Sequence, residues 1–451
     1  MSEQLKSYNP ATNELVGQVD VTPASQIPVM VKNSQIAQKA WGTLSVEERI
    51  EYIVKATRQL EPKIQELGIL LSKEMGKNYS RSSNEVYGCA IDAAHRTKEV
   101  KEAIKTQVFN GGGRETQLQY NPLGVCAIIA PWNYPMSMAH WMIIPALTAG
   151  NTVILKPSEE TPLIAQAYVD NLNEVLPANA LQIVQGAEEQ GRALIQSDVN
   201  FIGFTGSREV GQEIVRESAA SLKRVMMELG GNDPLIVMKD ANIRQAAGFA
   251  VGSSFENAGQ MCIATERIYV DETISKDFEQ IVVAIASQYK LGTWDDESAH
   301  IGPIINTAQR QLIIKHIDDA IAKGAKVLLG GTEHPDNFIT PTVLSQITPD
   351  MLIAKEETFG PVVCISTYKT IDEAITLAND SDYGLGASVF GKENVEAVGQ
   401  QLQAGMVGIN QGIGGNGDTP WVGAKQSGLG YHGSPDGHRQ FTQARVVSIG
   451  R

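Results

Sequence analysis

The sequence contains no apolar stretch of the ~18 residues that a membrane helix needs, so no membrane span is expected. Cysteine and histidine are scarce, at four and seven residues. Cys89, Cys126, Cys262 and Cys364 are scattered without metal-ligand spacing, and His432 and His438 fall in a glycine-rich tail, so no metal site is expected. Basic residues are also in deficit. There are 37 Lys and Arg against 51 Asp and Glu, a net charge of −14, which argues against nucleic acid or an anionic membrane as the main partner. The opening residues Met1-Ser-Glu-Gln-Leu-Lys-Ser-Tyr8 are polar and have no apolar core, so no secretory leader is expected and a reduced, cytoplasmic chain fits best. No internal repeat, low-complexity run or long linker was found.

What is present is a chain of 451 residues with 42% hydrophobic and 20% charged content, enough for two or three globular domains. Residues 6–20 read as a short hairpin turning at Asn9-Pro10 and Thr12-Asn13. Ser45 and Glu48 fit a capping box ahead of apolar residues at helical spacing, and Pro62 divides that stretch into two helices. From residue 125 onward, apolar strand-like runs (125–130, 152–156, 181–184, 201–204) alternate with helical runs near 136–149, 161–176 and 189–197. Such alternation predicts a parallel sheet covered on both faces. A second alternating series runs through 234–238, 362–365 and 387–390 and is read as a second α/β domain. Residues 107–124 and the tail ending Arg445-Val-Val-Ser-Ile449 look like strands with little core of their own.

Cys262 sits in Phe255-Glu-Asn-Ala-Gly-Gln-Met-Cys262, between a helical run and the strand-like Ile268-Tyr-Val270, with a bend at Gly259-Gln260. A cysteine presented on such a bend can attack a carbonyl carbon if its proton is removed. The plain alternative is a small buried hydrophobe, the reading adopted for Cys89, Cys126 and Cys364. Two further segments favour chemistry at Cys262. Ala130-Pro-Trp-Asn133-Tyr-Pro135 supplies an amide donor, and Met227-Glu228-Leu-Gly-Gly-Asn-Asp-Pro234 supplies a carboxylate. Thiol, oxyanion donor and carboxylate are the set that thiohemiacetal and thioester chemistry requires. The other reading makes Asn133 a turn residue and Glu228 a partner of Arg224.

These three segments together resemble the aldehyde dehydrogenase superfamily, in order from about residue 6 to the C-terminus. The resemblance implies an α/β fold with a Rossmann-like cofactor domain (1–107 and 125–226), an α/β catalytic domain (227–415) and a small β oligomerisation segment (108–124 and 416–451). It implies oxidation of an aldehyde to the acid. Cys262 is then the nucleophile, Asn133 with the Cys262 N–H the oxyanion hole, and Glu228 the base that activates water, with Gly230-Gly231 letting its loop move.

The resemblance also implies a nicotinamide dinucleotide. Phe204-Thr-Gly206-Ser207 follows a strand and opens a helix, where N–H groups and the helix dipole favour a phosphate. Leu155-Lys156-Pro-Ser158-Glu159 looks like the segment that holds the adenosine ribose; a carboxylate at Glu159 accepts from ribose hydroxyls and repels a 2′-phosphate, favouring NAD with NADP as the alternative. Glu357 and Phe359 would hold the nicotinamide ribose and ring, and Trp132 the pyrophosphate side. In related enzymes the helix carrying Trp141 lines the aldehyde tunnel, and those acting on succinic semialdehyde often have arginine at Trp141's position. Its absence here points to an apolar aliphatic or aromatic aldehyde, with a semialdehyde or a catalytically silent cofactor-binding role as alternatives. Pro420-Trp421-Val422-Gly423 departs from the family's Pro-Phe-Gly-Gly at the tunnel mouth. A homodimer or homotetramer is expected.

Overall fold

The computed structural model describes residues 3–331 and 333–450. Gln4–Tyr8 and Leu15–Asp20 pair as the expected antiparallel hairpin. Ser45 and Glu48 close the expected capping box over Val46–Thr57, and Pro62 lies in a short 3-10 turn before the helix Ile64–Met75. The helix starts here because the Ser45 and Glu48 N–H groups, which have no intrahelical acceptor, find each other's side chains.

Two sheets organise the molecule. The first has six strands in the order Gly428–Leu429, Arg224–Glu228, Phe201–Thr205, Val125–Ile129, Thr152–Lys156, Leu181–Ile183. All pairs are parallel except Gly428–Leu429 against Arg224–Glu228. Val125–Ile129 and Thr152–Lys156 are buried along their whole length, as a sheet covered on both faces requires. The chain builds outward from Val125–Ile129 in one direction, then returns to its other side with Phe201–Thr205. That reversal opens a crevice beyond the carboxyl ends of these two strands, the usual ligand position in such sheets. The loops that follow them carry Trp132-Asn133 and Gly206-Ser207.

The second sheet has seven strands in the order Lys326–Leu329, Thr342–Ser345, Val362–Tyr368, Thr265–Asp271, Asp233–Val237, Gly386–Phe390, Met406–Ile409, parallel but for the first. Cys262 and Glu357 lie just before two of its strands, so its amino ends contribute to the same crevice.

A third sheet is separate: Thr442–Gly450, Arg114–Pro122 and Gln107–Gly111, all antiparallel. It leaves Val108, Phe109, Val446 and Ile449 exposed. Among the described residues of the tail from 416, only Thr442–Gly450 joins it; Gly428–Leu429 and Tyr431–His432 instead fold back onto the six-stranded sheet and its neighbourhood. Among the described residues no helix is long and apolar enough to cross a membrane.

Candidate active site

A cavity of about 820 Å³ opens at the crevice, and its wall includes Trp132, Asn133, Trp141, Gly206, Ser207, Cys262, Glu357 and Phe359. Eight residues singled out from sequence thus meet in one place. Lys156, Ser158, Glu159 and Glu228 do not line it. Lys156 is buried, with Nζ donating to the Pro157 carbonyl at 2.8 Å and lying 3.4 Å from Glu159.

The helix Ile243–Phe255 ends at a kink before Cys262. Asn257, Ala258 and Gly259 have φ of 51°, 59° and 72°, three left-handed residues in succession. This conformation is costly for non-glycine residues, about 1–2 kcal/mol each, and survives only where surroundings enforce it. Here the Gln260 side chain enforces it: Nε2 donates to the Asn257 and Pro303 carbonyls at 3.1 and 3.3 Å, and Oε1 accepts from Ile305 N–H at 2.9 Å. The Gln260 carbonyl in turn accepts from Asn133 Nδ2 at 3.0 Å, tying the Asn133 loop to the Cys262 loop. Tyr134 N–H donates to Asn133 Oδ1 at 3.0 Å, which fixes the amide face. One Nδ2 hydrogen of Asn133 remains uncommitted among these bonds.

The Asn133 loop has a second support that the sequence reading missed. Lys77 and Glu85 form a buried ion pair at 2.7 Å. Lys77 Nζ also donates to the Asn133 carbonyl at 2.7 Å and sits 3.7 Å from the Tyr134 ring centre. Glu85 Oε1 accepts from Met136 and Ser137 N–H at 3.0 and 3.1 Å, capping the helix that begins at Pro135. Removing one partner of such a pair leaves a buried charge unpaired. Lys77→Met is therefore expected to destabilise the protein by about 3 kcal/mol, measured by denaturant unfolding, and to lower turnover in the fraction that folds.

Cys262 is half-buried, and its thiol proton is held well above the usual thiol range, first by burial and then by the charges of Glu357, Asp233 and Glu228. The cavity by itself therefore keeps the sulfur protonated. Alkylation of Cys262 by iodoacetamide in the free protein is expected to be slow at neutral pH and to rise with pH past the range of an ordinary thiol. Glu357→Gln removes the largest opposing charge wherever Glu357 is ionised, and should shift the rise of alkylation to lower pH, followed by peptide mass spectrometry.

Glu357 is itself pushed well above the usual carboxylate range, by burial and then by Glu266. Its Oε1 accepts from Gly231 N–H at 2.9 Å. A Cβ at Gly230 would stand 2.2 Å from Glu357 Oε2, and one at Gly231 would stand 2.2 Å from the Cys262 carbonyl. The expectation that Gly230-Gly231 serve loop movement is replaced by close packing: neither needs a left-handed φ, and both are small because the two catalytic-side loops press on them. Glu266, also unforeseen, accepts from Thr358 and Phe359 N–H and so shapes the Glu357-Thr-Phe turn; burial pushes it up to about 7. Phe359 meets Trp132 edge to face at 5.5 Å.

Glu228 ends its strand with its carboxylate turned to His432, Oε1 to Nε2 3.1 Å, both residues buried. Arg224 instead bonds the Gln440 and Thr442 carbonyls, so the expected Arg224 alternative for Glu228 does not hold.

The cavity fits a dinucleotide. The helix Arg208–Ala219 begins at its wall with Ser207 as N-cap, offering amides to a phosphate, and the half-buried Glu357 carboxyl group is an acceptor for ribose hydroxyls.

Residues 1–447 match the Aldehyde dehydrogenase family. The chain belongs to that family. It is 36% identical over 456 residues to a mitochondrial succinate-semialdehyde dehydrogenase of Oryza sativa subsp. japonica, covering 99% of this chain and 86% of that protein. The crystal structure of a Burkholderia pseudomallei succinate-semialdehyde dehydrogenase superposes with a TM-score of 0.96 at 32% identity, over 100% of this chain and 95% of that one. A lactaldehyde dehydrogenase from Escherichia coli superposes equally well, TM-score 0.96 at 29% identity, over 100% and 96%. The aldehyde dehydrogenase fold and the oxidation of an aldehyde with NAD(P) follow from this membership. Similarity at this level does not select the aldehyde, since neighbours with different substrates fit alike.

Proposed function

We propose that the chain oxidises an apolar, aliphatic or aromatic aldehyde to its acid, through a thiohemiacetal and then a thioester on Cys262. Asn133 Nδ2 and the Cys262 N–H would hold the oxyanion, and Glu228 would activate the water that releases the acid. The observation that carries the mechanism is the lock of Asn133 onto the Cys262 loop through the Gln260 carbonyl, which places amide and thiol at one cavity wall. Glu357, Phe359, Trp132 and the Gly206-Ser207 turn would hold the cofactor, which supplies the hydride acceptor when bound.

The wall beyond Cys262 supports an apolar substrate. It is built from Trp141, Trp421, Met138, Tyr134, Met261 and Ile263. No arginine lines the cavity among the described residues. Arg96 lies behind Trp141, 5.9 Å from its ring, and is held by Asp92 at 2.6 and 3.1 Å. The wall does hold one cation, Lys315, on the helix Thr307–Ala322 beside Leu312 and His316; a buried carboxylate away from it would be costly. The names of the succinate-semialdehyde relatives favour the second reading, a carboxylate-bearing semialdehyde. Relative kcat/KM for benzaldehyde, hexanal and succinic semialdehyde separates the two. A preference for the apolar aldehydes supports the first, and a preference for the semialdehyde overturns it.

For the cofactor, Lys156, Ser158 and Glu159 would read the adenosine ribose, Glu159 favouring NAD. Glu159→Ser is expected to raise the NADP/NAD ratio of kcat/KM about tenfold or more, since it removes a like charge facing the 2′-phosphate. An unchanged ratio would place the ribose elsewhere. The cofactor domain (1–107 and 125–226) and the catalytic domain (227–415) are proposed as read from sequence, and the oligomerisation segment is narrowed in its tail part to Thr442–Gly450, with the exposed Val108, Phe109, Val446 and Ile449 of the three-stranded sheet meeting a second copy in a cytoplasmic homo-oligomer.

A further inference from the structure

We propose that His432 is the proton relay of Glu228; this rests on the reading of Glu228 as the base. The tail places it there by backbone pairing. Gly428 registers opposite Glu228, and four residues later His432 registers opposite Trp421, which brings its ring over the end of the Glu228 strand. Nε2 of His432 stands 3.1 Å from Oε1 of Glu228. The approach is not aligned as a hydrogen bond, and neither atom has any other hydrogen-bond partner among the described residues. Both side chains are buried. The Trp141 ring lies 5.3 Å from the imidazole, centre to centre, inclined to it at 52°, and Trp421 packs on Trp141 at 6.1 Å. Both tryptophans line the cavity. The charged groups on the neighbouring elements are already engaged: His438 with Asp418 at 3.0 Å, Arg96 with Asp92 at 2.6 Å.

The relay balances as follows. Water oxygen bonds to the thioester carbon while its proton passes to Glu228. The C–S bond breaks, its electron pair leaves on the Cys262 sulfur, and the carboxylic acid departs. The proton on Glu228 then crosses to Nε2 of His432, whose own proton sits on Nδ1. Glu228 is again a carboxylate, and the imidazolium then gives its proton up to the medium, so that both groups are restored before the next water. His432 touches neither substrate nor cofactor in this scheme and is a positioning residue acting through Glu228.

The test compares wild type with His432→Gln, which keeps the volume and hydrogen-bonding capacity but cannot carry a proton, and with His432→Ala. NADH is followed in stopped flow with saturating NAD and the best aldehyde of the panel. His432→Gln is expected to release about one NADH per subunit in a fast burst and then turn over roughly tenfold to a hundredfold more slowly than wild type. His432→Ala is expected to behave likewise and to regain at least about fivefold in turnover on adding imidazole, a response that packing alone cannot give. Unchanged turnover in both variants overturns the relay, as does a joint loss of burst and turnover that imidazole does not relieve. If wild type itself forms no NADH with any aldehyde, the reading of Glu228 fails and the relay falls with it.

Discussion

Cys262→Ala is expected to abolish NADH formation, by at least about a thousandfold, while leaving cofactor binding near that of wild type. The size follows from the site. Cys262 is the only cysteine in the cavity wall; Cys89, Cys126 and Cys364 are buried elsewhere, so no other thiol can take its place. Cofactor binding should persist because the groups proposed to hold it, Glu357, Phe359 and the Gly206-Ser207 turn, are supported by other residues. Glu266 fixes the Glu357 turn, and Ser207 accepts from Val210 N–H to cap its own helix. The alanine change also leaves the Gln260 lock untouched, since that lock runs through backbone and the Gln260 side chain. NADH formation and cofactor titration by fluorescence quenching give the two readouts. Turnover near wild type would remove Cys262 from the reaction.

Asn133→Ala is expected to lower kcat by roughly a hundredfold to a thousandfold with little change in cofactor binding. Two losses combine. The oxyanion loses one donor, and the Gln260 carbonyl loses the Nδ2–H that joins the two loops. The Gln260 carbonyl keeps the Asn257 amide at 3.3 Å, so the left-handed turn should survive. Iodoacetamide labelling of Cys262 separates the contributions. An alkylation rate close to wild type with kcat strongly reduced assigns the effect to the oxyanion. A changed alkylation rate assigns it to the loop.

Much of this site was legible in the residues. Strand–helix alternation from residue 125 marks a covered parallel sheet because strands buried on both faces must read as unbroken apolar runs, as Val125–Ile129 and residues 234–237 do. Asn133, Cys262 and Glu357 stand in short segments whose composition already declares a turn, and each reached the cavity wall. What escaped was set by distance along the chain. Glu266 acts on amides 92 and 93 residues away, and Lys77 on a carbonyl 56 residues away, so no local spacing announces them. Ala258 carries no sign of a left-handed backbone, which glycine and, less often, asparagine normally signal. Gly230 and Gly231 were visible, but their reason was not. Glycine for movement and glycine for contact look alike in a sequence, and only the 2.2 Å approach of Glu357 and of the Cys262 carbonyl separates them. His432 was read as a tail histidine because its meeting with Glu228 depends on an antiparallel register between residues 200 apart.

The account stands or falls on a covalent acyl group at Cys262. The direct measurement is to quench the protein with acid during turnover of a slow aldehyde, digest it and determine peptide masses. The account predicts an adduct equal to the aldehyde less two hydrogens on the peptide that contains Cys262, absent when NAD is left out, because the reversible thiohemiacetal does not survive denaturation whereas the thioester does. Steady NADH formation with Cys262 unmodified, or with the adduct on another residue, would contradict it.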